Sequence, residues 1–120
     1  MKNGVDISKI DRFNELVNNQ SFLNKYFTEP EKEYIKNKGS KPETLAGIFS
    51  AKEAVLKALG IGMLNGLSFL DLCILHDKNG EPFVEVDAKL NYYLSLHNCS
   101  EISISISHDG EYAIAFCVIS

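Results

Sequence analysis

Near the end of the chain, Ile102-Ser103-Ile104-Ser105-Ile106-Ser107-His108-Asp109-Gly110 leads into the apolar run from Tyr112 to Ile119. Isoleucine at every second position is the period of a half-buried strand, and an Asp-Gly pair is the turn that folds one strand back on the next. Upstream of this hairpin the pattern is helical. Between Pro42 and Gly60, Leu45, Ile48, Phe49, Val55, Leu56 and Leu59 share one helical face, and the pattern stops at a glycine. The spacing predicts a long central helix. A first helix is expected from about Ser8 to Asn18, entered through Ser8 and Asp11 as a capping box. A brief one should follow Thr28-Glu29-Pro30-Glu31 to about Lys36, and another should run from about Asp87 to Leu96. Phe69 to Leu75 and Phe83 to Val86 read as a second hairpin, closed by Asp77-Lys78-Asn79-Gly80. Helices first and a hairpin-rich sheet later indicate α+β, with the central helix packed on an antiparallel sheet.

The arithmetic of the chain narrows its functions. Its 120 residues hold one modest core and leave little room for an internal pocket. The linker-like stretch from Lys36 to Pro42 is too short to separate domains, so residues 1–120 read as a single small domain. Sixteen acidic against twelve basic residues give a formal charge of −4, which argues against nucleic acid as a partner through a broad basic face. No apolar run reaches the ~18 positions of a membrane span. Met1 to Asn3 lead directly into Gly4-Val5-Asp6 with no signal-peptide hydrophobic region, so the expectation is a cytoplasmic protein with no membrane partner. Cys73, Cys99 and Cys117 are odd in number and widely spaced, the pattern of reduced structural thiols.

Within the central helix, Glu53, Ala46, Lys57 and Ser50 fall in a sector of ~60° beside the apolar face. Two readings fit. Small neighbours let a ligand approach, where a carboxylate suits a hard divalent cation and an ammonium suits a phosphate; alternatively Glu53 and Lys57 form an exposed i,i+4 ion pair. Lys52 lies in the middle of the apolar arc, so either its stem snorkels or that face meets a subunit boundary or an anionic ligand. Asp6, where an apolar segment gives way to a helix, can cap amides or reach a metal. His108 ends the Ser/Ile strand, from where imidazole either meets solvent or bonds a phosphate or ribose. Gly60-Ile61-Gly62-Met63-Leu64-Asn65-Gly66 misses the dinucleotide-loop spacing by one position and reads as a flexible connection.

Three motifs occur in order: Gly4-Val5-Asp6-Ile7, then Phe49-Ser50-Ala51-Lys52-Glu53-Ala54 with Lys57-Ala58-Leu59-Gly60, then Ser105-Ile106-Ser107-His108. Together with Phe27-Thr28-Glu29-Pro30-Glu31, Leu45-Ala46-Gly47, Leu67-Ser68-Phe69 and Gly80-Glu81-Pro82, the chain closely resembles the holo-[acyl-carrier-protein] synthases, the small bacterial 4′-phosphopantetheinyl transferases. The resemblance implies the fold of that family. It also implies Mg2+-dependent transfer of the phosphopantetheine arm from coenzyme A to a serine of apo acyl carrier protein, in support of fatty acid biosynthesis. A homotrimer with active sites between subunits is expected. By the same resemblance Asp6 and Glu53 are the magnesium ligands, Lys57 is the pyrophosphate contact, and Ser107, His108 and Lys52 belong to the coenzyme A site. Glu53, directly or through a metal-held water, is the candidate to take the serine proton.

Two departures stand beside the likeness. Ile48 replaces the arginine that members commonly carry before the motif phenylalanine, so a cationic contact is missing or relocated. The segment from Ser8 to Gln20 has only Lys9 and Arg12 as basic residues, against Asp11 and Glu15. A displaced electrostatic footprint for the acidic carrier is therefore expected, with Lys2, Lys25 or Lys32 as substitutes. A noncatalytic trimeric binding module and a purely structural role for every motif are the rival readings.

Overall fold

The central helix organises the molecule. In the computed structural model, which describes residues 1–60 and 66–120, it spans Pro42–Leu59 (α3), opens with proline in its first turn and ends on Gly60 in the left-handed conformation at φ +68°. The cap amide bonds the carbonyls of Leu56 and Lys57, satisfying acceptors that the helix end would otherwise leave bare. Ahead of α3 come β1 (Lys2–Lys9), α1 (Gln20–Tyr26) and α2 (Glu29–Asn37); after it come β2 (Ile74–His76), β3 (Pro82–Val84), α4 (Ala88–Ser95), β4 (Ile102–Asp109) and β5 (Tyr112–Ile119). The strands form an antiparallel sheet ordered β1-β5-β4 and a separate β2–β3 hairpin.

Both sides of α3 are enclosed. The sheet covers one side, and Phe13, Phe22, Tyr26, Phe27 and Phe69 gather around Phe49 on the other, with Phe49 centroid separations of 5.1–6.4 Å, the range of offset and edge-on ring packing. Helix and sheet are in intimate contact. A β-carbon on Gly4 would lie 2.5 Å from the Ala58 amide nitrogen and would also collide with the Ala54 carbonyl oxygen. Gly4→Ala is therefore expected to cost about 1–3 kcal/mol or more through overpacking against backbone that cannot step aside. A denaturant midpoint equal to the parent's would show that β1 does not press on α3.

This close approach reverses the usual burial in β1 and the first part of β5. The face toward α3 carries small side chains, Gly4, Ser8, Ala113 and Ala115, all buried, whereas Val5, Ile7, Ile114 and Phe116 lie 42–61% exposed on the other face. The reversal corrects the first predicted helix. Residues 2–9 are strand, followed by short 3-10 turns at Ile10–Phe13 and Leu16–Asn18, and no Ser8–Asp11 capping box forms because Ser8 points into the core. Helix α1, which the sequence reading missed, starts at Asn19, whose side chain accepts from the Phe22 amide at 3.0 Å.

Other expectations meet the structure more closely. Thr28 and Glu31 form the anticipated capping box of α2, and Asp87 caps α4 through the Leu90 amide at 2.8 Å. The middle hairpin exists but is shorter than expected. Phe69–Asp71 is a 3-10 turn held by Ser68 and Asp71, and Asp77 Oδ1 ties the hairpin tip by accepting from the Asn79 and Glu81 amides at 2.8 and 2.9 Å. The connection expected between Gly60 and Gly66 has its residues 61–65 outside the described residues. All three cysteines are free, and burial pushes the Cys117 thiol up to about 12, which keeps it protonated and unreactive at neutral pH. No described helix is long and apolar enough to cross a membrane.

Candidate functional site

Where β1 crosses the C-terminal half of α3, the strand's inward face and the helix bring together residues distant in sequence. Asp6 is in the middle of β1, opposite Ala115, and not at the entrance to a helix, so it caps nothing. Its Oδ1 accepts from Lys57 Nζ at 2.9 Å, its Oδ2 from Ser8 Oγ at 3.3 Å, and Ser50 Oγ donates onward to Ser8 Oγ at 2.7 Å. Lys57 also donates to the Val5 carbonyl at 3.1 Å. With its side chain 51% exposed, the Lys57–Asp6 pair contributes less than about 1 kcal/mol. The ammonium is thus available to a stronger anion.

Glu53 lies one turn before Lys57 on α3 and is half-buried. Burial and the nearby Asp6 charge push its carboxyl above the usual carboxylate range, while Lys57 and Arg12 pull it back. Lys57 therefore partners Asp6 across the interface between elements instead of forming the simple i,i+4 pair with Glu53. In the sequence Arg12 is simply one of two basic residues between Ser8 and Gln20. Its guanidinium lies 5.0 and 5.1 Å from the ring centroids of Phe13 and Phe49, positions its charge near Glu53, and has no signature in the local sequence.

Lys52 requires a correction. Its side chain is fully buried and donates to Glu31 Oε1 and to the Tyr26 carbonyl at 2.8 Å, with the rings of Phe27 and Phe69 5.2 and 5.9 Å away. It neither snorkels nor reaches a ligand, so it leaves the expected coenzyme set. Burial holds its ammonium below the ordinary lysine value, against the pull of Glu31. Glu31 is a hub that the sequence showed only as a cap: Oε1 also accepts from the Thr28 amide and Oε2 from the Ile74 amide, each at 2.8 Å. One carboxylate joins α2, α3 and the β2–β3 hairpin.

His108 belongs to a second feature, a groove of about 240 Å³ between the N-terminal half of α3, the hairpin and β4, lined also by Tyr34, Glu43, Thr44, Gly47, Ile48, His76, Gly80, Pro82 and Ile106. Ser107, one residue earlier in β4, points to the opposite, exposed sheet face. Gly47 and Lys57 are ten residues apart on α3, about 15 Å along the axis at 1.5 Å per residue. Within one chain, His108 and the Asp6–Glu53–Lys57 cluster are therefore not brought together. A larger cleft of about 810 Å³ between α1 and α2 contains none of the predicted site residues.

Comparison with known proteins points to one family. A family model described as the 4′-phosphopantetheinyl transferase superfamily matches residues 3–117. A holo-[acyl-carrier-protein] synthase of Fusobacterium nucleatum is 44% identical over 117 residues, covering 97% of this chain and 95% of that protein. The crystal structure of Helicobacter pylori holo-[acyl-carrier-protein] synthase in complex with coenzyme A aligns with TM-score 0.84 and 33% identity, covering 98% of this chain and 99% of the other. The Neisseria meningitidis holo-[acyl-carrier-protein] synthase aligns with TM-score 0.86 and 30% identity over 99% and 97% of the two chains.

Proposed function

Because the chain belongs to the 4′-phosphopantetheinyl transferase superfamily and stands among its holo-[acyl-carrier-protein] synthases, we propose that it transfers the 4′-phosphopantetheine arm of coenzyme A to a serine hydroxyl of apo acyl carrier protein. Residues 1–120 act as one transferase domain, in the cytoplasm and in support of fatty acid biosynthesis. The observation that carries the reading is the meeting of Asp6, Glu53 and Lys57 at the β1–α3 contact. Two carboxylates and an ammonium gathered on a half-exposed surface suit a substrate rich in phosphate.

In the reaction, the serine oxygen bonds to the phosphorus bearing the pantetheine arm. The bond from that phosphorus to the bridging oxygen breaks, and adenosine 3′,5′-bisphosphate leaves. Lys57 binds the pyrophosphate and offsets the negative charge that grows on the departing phosphate. Glu53, its carboxyl raised by burial and by Asp6, takes the serine proton. His108 holds the coenzyme in the groove, and Ser107, on the opposite face of β4, contacts it across a subunit boundary.

Magnesium fits the donor set. The Asp6 charge raises Glu53, so the two carboxylates feel each other, and a cation between them would relieve that repulsion. Among the described residues no group of three or more acidic, histidine or cysteine side chains stands together. An ion that takes one or two carboxylates and leaves its remaining positions to substrate phosphate and water needs no larger cluster. Asp6 and Glu53 would hold it, and when bound it neutralises charge on the pyrophosphate.

A homotrimer with shared sites is supported by two observations. Val5, Ile7, Ile114 and Phe116 form an exposed apolar strip on the outer sheet face, the kind of surface that marks a protein interface. The separation of His108 from Lys57 within one chain is bridged if a neighbour supplies one half of the site. The test of the whole reading is to incubate the folded protein with Mg2+, coenzyme A and apo acyl carrier protein. The carrier should gain the mass of one phosphopantetheine; an unmodified carrier sinks the proposal.

A further inference from the structure

We propose that His76 is a further coenzyme-binding residue, which donates a neutral imidazole Nε2–H to an acceptor on the nucleotide end of the coenzyme in the groove it shares with His108. The inference rests on the functional reading above and concerns a residue outside the three motifs. His76 ends β2, opposite Pro82, and its ring stacks on Tyr34 with centroids 3.8 Å apart and planes 2° from parallel. The stack fixes the ring in one plane at the groove wall.

Which nitrogen carries the proton follows from the surroundings. Nδ1 is buried and has no hydrogen-bond partner among the described residues. An N–H there would be sealed from water with no acceptor, so the neutral ring carries its proton on Nε2. Protonating both nitrogens would create that stranded donor. Burial and the Lys38 ammonium accordingly hold the imidazole below its usual range, against the Asp77 carboxylate. At neutral pH His76, which lines the groove and also the hollow beside it on the hairpin, is thus a fixed, uncharged donor.

The rest of the lining explains what this donor is for. Glu43 is the groove's only acidic residue, while Gly47, Ile48, Pro82 and Ile106 are apolar. Apolar walls with a few convergent polar groups are the usual form of a small-molecule subsite. A hollow of about 240 Å³ suits one end of a long ligand. With isoleucine on the α3 wall at position 48, His76 and His108 are the groove's two imidazoles and, with the hydroxyls of Tyr34 and Thr44, its side-chain donors for a base nitrogen or phosphate oxygen among the described residues.

The test measures coenzyme A binding by calorimetry and separates KM from kcat for His76→Phe, which keeps a ring on Tyr34 but removes the donor. The Kd and KM for coenzyme A are expected to rise about tenfold, with kcat changed less than about twofold. His76→Gln, which returns an N–H donor, should recover most of the loss. Repeating the measurements with 3′-dephospho-coenzyme A separates the acceptors: an effect confined to coenzyme A assigns the 3′-phosphate, and an effect on both assigns the base. Unchanged Kd and KM, a fall in kcat alone, or H76Q as weak as H76F would overturn the proposal. If H76F does not fold, H76L is judged by the same criteria. A parent protein that neither binds coenzyme A nor modifies the carrier refutes the functional reading itself, whereas an active parent with an unaffected H76F refutes only the role of His76.

Discussion

Glu53→Gln is expected to lower kcat by about 10²–10⁴-fold, the range for losing a general base, while leaving the protein folded. The substitution keeps size and shape and removes only the charge. Among the described residues the Glu53 side chain takes part in no hydrogen bond or ion pair, so the fold does not depend on its carboxylate. Its charge is disfavoured by burial and by Asp6, and a neutral amide escapes both effects. The melting temperature should therefore hold or rise slightly while turnover collapses. Steady-state transfer to apo acyl carrier protein alongside a thermal melt checks both halves. Retention of parental kcat would remove Glu53 from the chemistry and favour a structural role for the motif.

The second large effect falls on stability. Glu31→Gln should destabilise the protein by about 3–5 kcal/mol, the cost of leaving one member of a buried ion pair without its partner. That is a large part of the ~5–15 kcal/mol that holds a domain together. Glu31 and Lys52 are both fully excluded from solvent. Without the carboxylate the ammonium loses its counter-charge, and the single glutamine oxygen cannot serve Lys52 and the Thr28 and Ile74 amides together; the Tyr26 carbonyl and the faces of Phe27 and Phe69 remain. A melting temperature lower by about 10–20 °C is expected for a chain of this size.

The pH dependence has a definite sign. A lysine whose folded-state pKa lies below its ordinary 10.5 binds fewer protons folded than unfolded, so stability rises with pH between the lowered value and 10.5. Losing Glu31 removes the pull that holds this value up, so in E31Q it falls further; the deficit should shrink as pH climbs from that lower value to the parent's, and adding K52M should recover much of it at neutral pH. A variant that melts with the parent, or a deficit independent of pH, would show that the pair carries no buried charge.

The docking of an acidic carrier is also clearer. Lys32 is tied to Glu29 at 2.7 Å and to Asn24, which weakens it as a carrier contact. Arg12 is exposed and lies beside Phe13, Phe49 and Glu53. A carrier presenting its serine to Glu53 would meet Arg12 at the same place, so a net charge of −4 does not prevent a local cationic contact.

Several elements were legible because their information is local. The 3.6-residue period of α3 and its terminal Gly60, the alternation of Ile102, Ile104 and Ile106, and the capping side chains Thr28 and Asp87 all act within a few positions. β1 was misread for a physical reason. The usual rule places large apolar residues inside, but this strand lies so close to Ala54 and Ala58 that its inner face carries Gly4, Asp6 and Ser8, and Val5 and Ile7 turn outward. The apolar arc marks Lys52 as unusual but not its partner, which is 21 positions away, and the lone Nδ1 of His76 depends on atoms from separate elements.

The sequence by itself therefore determined the α+β class, the long helix, the terminal hairpin and, through three ordered motifs, the family. Periodicity, caps and turns are short-range properties, and motif order survives without knowledge of contacts. Only the tertiary structure decided that Lys57 pairs with Asp6 across 51 positions, that Lys52 is an internal structural charge, and that Val5, Ile7, Ile114 and Phe116 face outward. Each of those outcomes depends on how closely one backbone approaches another and on which charges burial leaves paired, quantities that exist only once the chain has folded.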